Sequence, residues 1–351
     1  MQTNSKMKRC PMEQIIGIDL AKRVFQVHIV SIQGEKKANK MITREKLMAF
    51  IAQQPSSRIV MEACGSANYW SRQFKTFGHD VRQISPQYVS PFRMGNKNDK
   101  NDATAIVEAD SRPGMRYVPE KSLEQQDIQC IHRVRQRLMK NRTALINQIR
   151  GLGLEYGIAI PEGAHKIMTC LPEYLEDAEN ELTTLSRQLF HEIWLELQDC
   201  QQRIKTLDVR LEQISTQNED TARLVNIPGI GPLGASALTI ALGDSRSFNN
   251  GRHFASYLGW VPGEHSSGGK PRLLGITKRG DGYLRGLLIH GARSVVYRTV
   301  NLPDERCSAL QRWLKGIIVR GGVNKAVVAL ANKNARVAWA LVNQRTEYRN
   351  Q

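Results

Sequence analysis

Lys97-Asn98-Asp99-Lys100-Asn101-Asp102-Ala103 sets two carboxylates three residues apart among lysines and asparagines. The residues that follow, Ala103, Ala105, Ile106, Val107 and Ala109, suit a helix. On a helix, i, i+3 spacing puts Asp99 and Asp102 on one face, one turn apart. Such a pair can hold a hard cation through oxygen ligands. The same residues also read as a helix start, with Asn98 or Asp99 as N-cap and Asp102 in the first turn against the dipole.

Two more carboxylates belong to apolar runs. Asp19 lies in Ile15-Ile16-Gly17-Ile18-Asp19-Leu20, and Glu62 ends Arg58-Ile59-Val60-Met61-Glu62. Burying a carboxylate between Ile18 and Leu20 is costly without a partner, so Asp19 calls for a metal or a cation such as Lys22. A carboxylate on one strand, a second on its neighbour and a helical pair can converge on a divalent metal site. That chemistry suits phosphoryl transfer, where two ions about 4 Å apart activate the attacking oxygen and stabilise the leaving one. Glu62 on its own reads equally well as an exposed strand end.

Further along, His265-Ser266-Ser267-Gly268-Gly269-Lys270 is either a flexible polar loop or the seat of a serine nucleophile. In the second reading His265 accepts the proton, and Lys270, Arg272, Lys278 and Arg279 clamp phosphate. Pro228-Gly229-Ile230-Gly231 resembles a helix-hairpin-helix turn, or is simply a turn. Gly229 and Gly231 would let backbone N–H groups approach a phosphate at a helix start, a contact that reads no base sequence. His28, His132 and His290 are read as core or surface histidines.

The elements that must position these groups follow from periodicity. Strands are predicted at 15–20, 25–30, 37–43, 58–62 and 81–84, with helices at 44–53 and 66–77; this fits a mixed α/β sheet. The alternation in 25–30 predicts one wet face. Tyr69, Trp70, Phe74 and Phe77 are expected on one helix face. From Ser122 the texture becomes helical: Leu123, Ile128, Ile131, Val134, Leu138, Leu145, Ile146 and Ile149 recur at three- and four-residue steps. Gly151, Gly153 and Gly157 are expected to end that helix. A second helical stretch is expected from about Pro172 to Gln217, with a seam that includes Leu185 and Leu189. The pair reads as a helical hairpin or coiled coil used for oligomerisation, or as an ordinary bundle. Helices are also expected at 235–242, 283–298, 310–319 and 324–342, and residues 1–13 read as a loose tail.

The chain has 351 residues, 41% of them hydrophobic, enough for two or three domains. A net charge of +17 points to a polyanionic partner. The six cysteines lack zinc-ligand spacing and fit reduced thiols in a cytoplasmic protein. No signal peptide and no apolar run of the roughly 18 residues a membrane helix needs are evident, so nucleic acid is the expected partner and a membrane is not.

Taken in order, Gly17-Ile18-Asp19, Met61-Glu62-Ala63, Gly95 to Ala103, Ile227-Pro228-Gly229-Ile230-Gly231, His265 to Lys270 and Ile276-Thr277-Lys278-Arg279-Gly280-Asp281 form a set. The set resembles the DEDD transposases of bacterial insertion sequences, the family numbered one-hundred-and-ten and its eleven-eleven subgroup. The resemblance covers nearly the whole chain. It implies an α/β plus α architecture in three parts. Residues 1–118 would form a RuvC-like, ribonuclease-H-like domain and 119–220 a coiled-coil linker. Residues 221–351 would form a mainly α transposase domain with a helix-hairpin-helix-like turn. It maps an acidic quartet that binds magnesium onto Asp19, Glu62, Asp99 and Asp102. It maps a serine that bonds covalently to DNA onto the Ser266-Ser267 pair, and Ser267 is chosen because it directly precedes Gly268. It implies donor and target DNA as substrates, a non-coding bridge RNA as guide, and a tetramer built from two dimers. Two rival functions stand beside it. One is a resolvase-like, structure-selective nuclease using water; the other is a non-catalytic nucleic-acid-binding protein.

Overall fold

The computed structural model describes residues 12–96 and 98–349. Most of the expected N-terminal tail, and Lys97, lie outside them. The described residues form two compact units, and the chain passes from one to the other between Lys121 and Ser122.

The first unit is a five-stranded mixed sheet with helices. Its elements are β1 (Gln14–Asp19), β2 (Val24–Ser31), β3 (Lys36–Thr43), α1 (Arg44–Ala52), β4 (Ser57–Glu62), α2 (Ala67–Thr76), β5 (Asp80–Ile84), α3 (Pro86–Val89) and α4 (Asp99–Asp110). The strand order is β3-β2-β1-β4-β5. β1 and β3 run antiparallel to β2, whereas β4 runs parallel to β1 and β5 parallel to β4. Side-chain alternation divides the sheet. Ile16, Ile18, Phe25, Val27, Ile59 and Met61 share a core with Trp70 and Phe74 of α2 and with Leu47 and Ile51 of α1. On the opposite face Val60 and Ile84 pack with Ala105, Ile106 and Ala109 of α4.

This second layer corrects the expectation for β2. Its polar residues Gln26 and His28 are buried, because α4 covers the face that the alternation assigned to water. On α2, Trp70 and Phe74 are buried but Tyr69 and Phe77 are exposed, so the aromatic face is narrower than expected.

The second unit is mainly helical. It contains α5 (Leu123–Leu154), α6 (Ala164–Glu176), α7 (Thr184–Gln217), α8 (Glu219–Val225), α9 (Pro232–Leu242), α10 (Gly251–Tyr257), β6 (Pro262–Glu264), β7 (Leu273–Ile276), α11 (Gly282–Val300), α12 (Ala309–Gly321) and α13 (Val323–Gln344). α5 starts on a capping box between Ser122 and Gln125. α5 and α7 lie antiparallel: Cys200 Sγ meets the Leu138 carbonyl at 3.3 Å, Arg135 pairs with Asp208, and Ile128 shares a cluster with Leu211.

Helix boundaries differ from expectation in two places. α5 runs through Gly151 and Gly153 to Leu154. Gly153 instead admits the returning chain, since a Cβ there would sit 3.1 Å from the Ile158 carbonyl. The stretch from Pro172 to Gln217 is not one helix. Pro172 lies inside α6, and the chain turns between Glu176 and Thr184. Arg187 holds that turn by donating to the Leu175 carbonyl at 2.6 Å and to the Asp177 carbonyl and Asn180 Oδ1 at 2.7 Å each. Leu123, Val134, Leu185 and Leu189, expected on buried seams, are exposed.

The C-terminal core gathers α8 to α13 around Leu238, Phe254, Trp260, Leu288, Ala292, Leu314 and Leu330. Burying each large side chain contributes about 1.5–3 kcal/mol. No helix among the described residues is long and apolar enough to cross a membrane.

Candidate active site

The elements that carry the candidate carboxylates, β1, β4 and α4, meet at one close approach. Gly17 in β1 has no side chain, and a Cβ there would lie 2.6 Å from Val107 Cγ2 and 2.8 Å from the Ala103 carbonyl. α4 therefore lies against the backbone of β1. Asp19 is two residues further along and shares the face of Gly17. β1 and β4 are in parallel register, Gly17 with Val60 and Ile18 with Met61. Asp19 and Glu62 thus leave the same ends of adjacent strands on the face that α4 covers.

Asn98 is the N-cap of α4, its Oδ1 accepting from the Asn101 N–H at 2.8 Å. Asp99 and Asp102 both sit in the first turn, as the helix-start reading expects. Asp99 is exposed, whereas Asp102 is buried and ion-paired with Arg93 Nε. Asn39 of β3 ties the helix to the sheet, donating to Thr104 Oγ1 at 3.3 Å. Lys22, the cation expected near Asp19, lies in the exposed turn after β1. Arg93 is the cation that sequence reasoning missed, and the cue was the need of a buried carboxylate for a partner. The donor set is all oxygen, which suits a hard divalent cation. Among the described residues, no three His, Cys, Asp or Glu side chains are gathered closely enough to hold one.

The serine pair lies in the second unit. β6 and β7 form an antiparallel hairpin in which Glu264 pairs with Leu273. The ladder continues outward, with the His265 N–H donating to the Arg272 carbonyl at 3.0 Å and the Lys270 N–H to the Ser267 carbonyl at 3.1 Å. Gly268 and Gly269 close the turn with φ of +58° and +75°, the left-handed pair that a two-residue hairpin turn demands. Alternation then puts His265, Ser267, Lys270 and Arg272 on one face of the ribbon, and Glu264 and Ser266 on the other. The two serines differ accordingly. Ser266 Oγ donates to Glu264 Oε1 at 2.5 Å and accepts from the Arg272 N–H at 3.1 Å. Ser267 is exposed beside the turn glycines.

Lys278 and Arg279 sit on a loop pressed against the end of α10. A Cβ on Gly259 would lie 2.2 Å from the Arg279 carbonyl, and one on Gly280 would lie 2.3 Å from the Tyr257 carbonyl. Arg285 braces the loop, donating to the Leu258 carbonyl at 3.1 Å and the Arg279 carbonyl at 2.6 Å. Lys278 itself adopts a left-handed φ of 56°, so two exposed cations are displayed on a strained, tightly held segment. Asp281 follows as the N-cap of α11.

Gly229 and Gly231 have separate surroundings. Gly229, at φ +87°, is packed on Gly291 of α11, where a Cβ would lie 2.7 Å from the Gly291 carbonyl. Gly231 is the exposed N-cap of α9. His132 of α5 is a core histidine: Nδ1 lies 2.9 Å from the Tyr283 hydroxyl and Nε2 lies 3.1 Å from Ser236 Oγ. Burial, then the nearby Arg135 and Arg133, lower its pKa to about 4. His28 is buried and His290 exposed.

A model of DEDD transposases of the IS110 type, described as Transposase, matches residues 16–156. A model described as Transposase IS116/IS110/IS902 family matches residues 221–307. The chain is 47% identical to a probable family 20 transposase of Pseudomonas aeruginosa, over 95% of this chain and 98% of that protein. It is 42% identical to the transposase for insertion sequence element IS1111A of Coxiella burnetii, over 96% of this chain and 91% of that one. The first match spans the carboxylates, α4 and the start of the helical region, and the second spans the glycine turn, the serine hairpin and the basic loop. The chain belongs to the IS110/IS116/IS902 family of insertion-sequence transposases.

Proposed function

We propose that this transposase cuts and rejoins DNA through a covalent phosphoserine link made by Ser267. The observation that carries the proposal is the shared hairpin face of His265, Ser267, Lys270 and Arg272. The Ser267 oxygen bonds to a backbone phosphorus, the bond to one sugar oxygen breaks, and that oxygen leaves with a proton. His265 takes the serine proton, while Lys270, Arg272, Lys278 and Arg279 offset the charge developing on the phosphate oxygens. Rejoining runs the same exchange with a different sugar hydroxyl.

Asp19, Glu62, Asp99 and Asp102 would hold magnesium, and the all-oxygen donor set suits it. When bound, magnesium supplies Lewis acidity at the reacting phosphate. Asp102 would take part on release of its ion pair with Arg93, and that release would free Arg93 as a further cation for the DNA backbone. The strand order β3-β2-β1-β4-β5 supports a ribonuclease-H-like reading of this unit. A bridge RNA that selects donor and target DNA by base pairing leaves the protein to grip backbones. The surplus of +17 supports that reading, and affinity should fall steeply with salt. Exposed Leu185 and Leu189 on α7 offer a seam for pairing two chains toward a tetramer.

A second reading has its own observation. The 2.5 Å contact of Ser266 Oγ with Glu264 is the geometry of a serine beside its base. Covalent trapping separates the readings. Protein, guide RNA, labelled DNA and magnesium are incubated and denatured. The proposal expects an adduct that is absent in Ser267→Ala and present in Ser266→Ala. The reverse pattern makes Ser266 the nucleophile. Cut DNA with no adduct in any variant assigns the attack to water.

A further inference from the structure

The C-terminal core opens into a cavity of about 900 Å³ between the β6–β7 hairpin and helices α12 and α13. It falls within the size range of small-molecule sites, roughly 300–1,000 Å³. Trp260, Leu274, Ile276 and Trp313 supply its apolar wall. Lys325, Lys333 and Arg336, along one face of α13, supply its cations, and among the described residues no carboxylate lines it.

One feature marks the cavity as more than a packing gap. Trp313 is a large aromatic left 37% exposed, with Lys333 Nζ 4.8 Å from its ring centroid. An aromatic face and a row of cations are together the complement of a nucleotide. The base stacks, and the phosphate meets the lysines and arginine.

We propose that this cavity takes one unpaired nucleotide of a bound nucleic-acid strand, its base against Trp313 and its phosphate on Lys333 and Arg336. A base held in a duplex cannot enter, so the cavity distinguishes unpaired from paired strands. The proposal uses the family's action on nucleic acid but not the serine chemistry, and its test needs neither metal nor cleavage.

The test measures fluorescence anisotropy of the full chain with three labelled probes. These are a short oligothymidylate, a strand of equal length made only of abasic sites, and a duplex of that length. The wild type should bind the thymidylate about 5- to 150-fold more tightly than the abasic strand, the range for stacking one base. Trp313→Ala should bring that ratio to near one and leave duplex affinity within about twofold. Trp313→Phe should keep part of the preference. Lys333→Ala should weaken both single strands equally. Leu274→Asp alters an exposed hairpin residue on the opposite wall and should abolish the preference without touching the core. Equal binding of thymidylate and abasic strand by the wild type overturns the proposal. So does a preference that survives both Trp313→Ala and Leu274→Asp.

Discussion

A methyl group on Gly17 would lie 2.6 Å from Val107 Cγ2, so β1 and α4 touch where neither can yield. Asp19 lies two residues beyond that contact on the strand, and Asp99 and Asp102 lie one to two turns before Val107 on the helix. The spacing of the carboxylates is therefore set by the absence of a side chain.

Gly17→Ala is expected to push α4 off the sheet. Overpacking of this kind costs roughly 1–3 kcal/mol. Urea unfolding of the variant should show a lower midpoint, and the yield of covalent adduct should fall much more than the stability does. A variant with full adduct yield would mean that the helix can shift without disturbing the carboxylates.

Much of this was legible in the chain. Asn98 as a cap candidate and the carboxylates on the strands at 15–20 and 58–62 follow from local rules of capping and alternation, whereas the β6–β7 hairpin reads in the sequence only as a polar loop around Ser266 and Ser267. The exposure of β2 was misjudged because nothing within 25–30 reveals that a helix seventy residues later covers its polar face. The division of the two serines was likewise hidden. Ser266 is tied back by Glu264, a contact that depends on the segment being extended, which puts residues two apart on one face. The break between α6 and α7 depends on Arg187 reaching back to five oxygens, which periodicity does not record.

Arg93 and Asp102 give a prediction about cations. Arg93→Gln leaves a buried carboxylate without its partner, a change that costs about 3–5 kcal/mol. If Asp102 belongs to the metal set, magnesium can replace the lost positive charge. Thermal unfolding of Arg93→Gln should then show a clear upward shift on adding magnesium, removed again by a chelator, and larger than the shift in the wild type. Equal shifts in both proteins would separate Asp102 from the metal.

Gly229 and Gly291 predict the cost of adding a single carbon. A Cβ on Gly291 would come within 1.7 Å of the Gly229 carbonyl, and neither backbone has room to move, since one is a turn at φ +87° and the other is in a helix. Gly291→Ala should destabilise the C-terminal core by about 3 kcal/mol or more. Differential hydrogen exchange would locate the loss in α9 and α11. Exchange in the first unit should not change.

His132 makes the stability of the second unit depend on pH. Ser236 Oγ donates to the Pro232 carbonyl at 2.8 Å, so it accepts from Nε2–H, and Nδ1 accepts from the Tyr283 hydroxyl. The ring is thus held neutral, and its pKa falls from 6.5 to about 4. The unfolded chain binds this proton more readily than the folded one between those values. The contribution to stability is therefore complete above pH 6.5 and is lost as the pH falls toward 4, by about 3 kcal/mol across the window. His132→Gln keeps a donor and an acceptor but does not titrate. The stability difference between wild type and His132→Gln should be constant above pH 7 and should shift against the wild type as the pH drops from 6.5 to 4. Urea unfolding followed at a probe in α5 or α11 measures it. A difference that stays flat across that range would place the proton elsewhere.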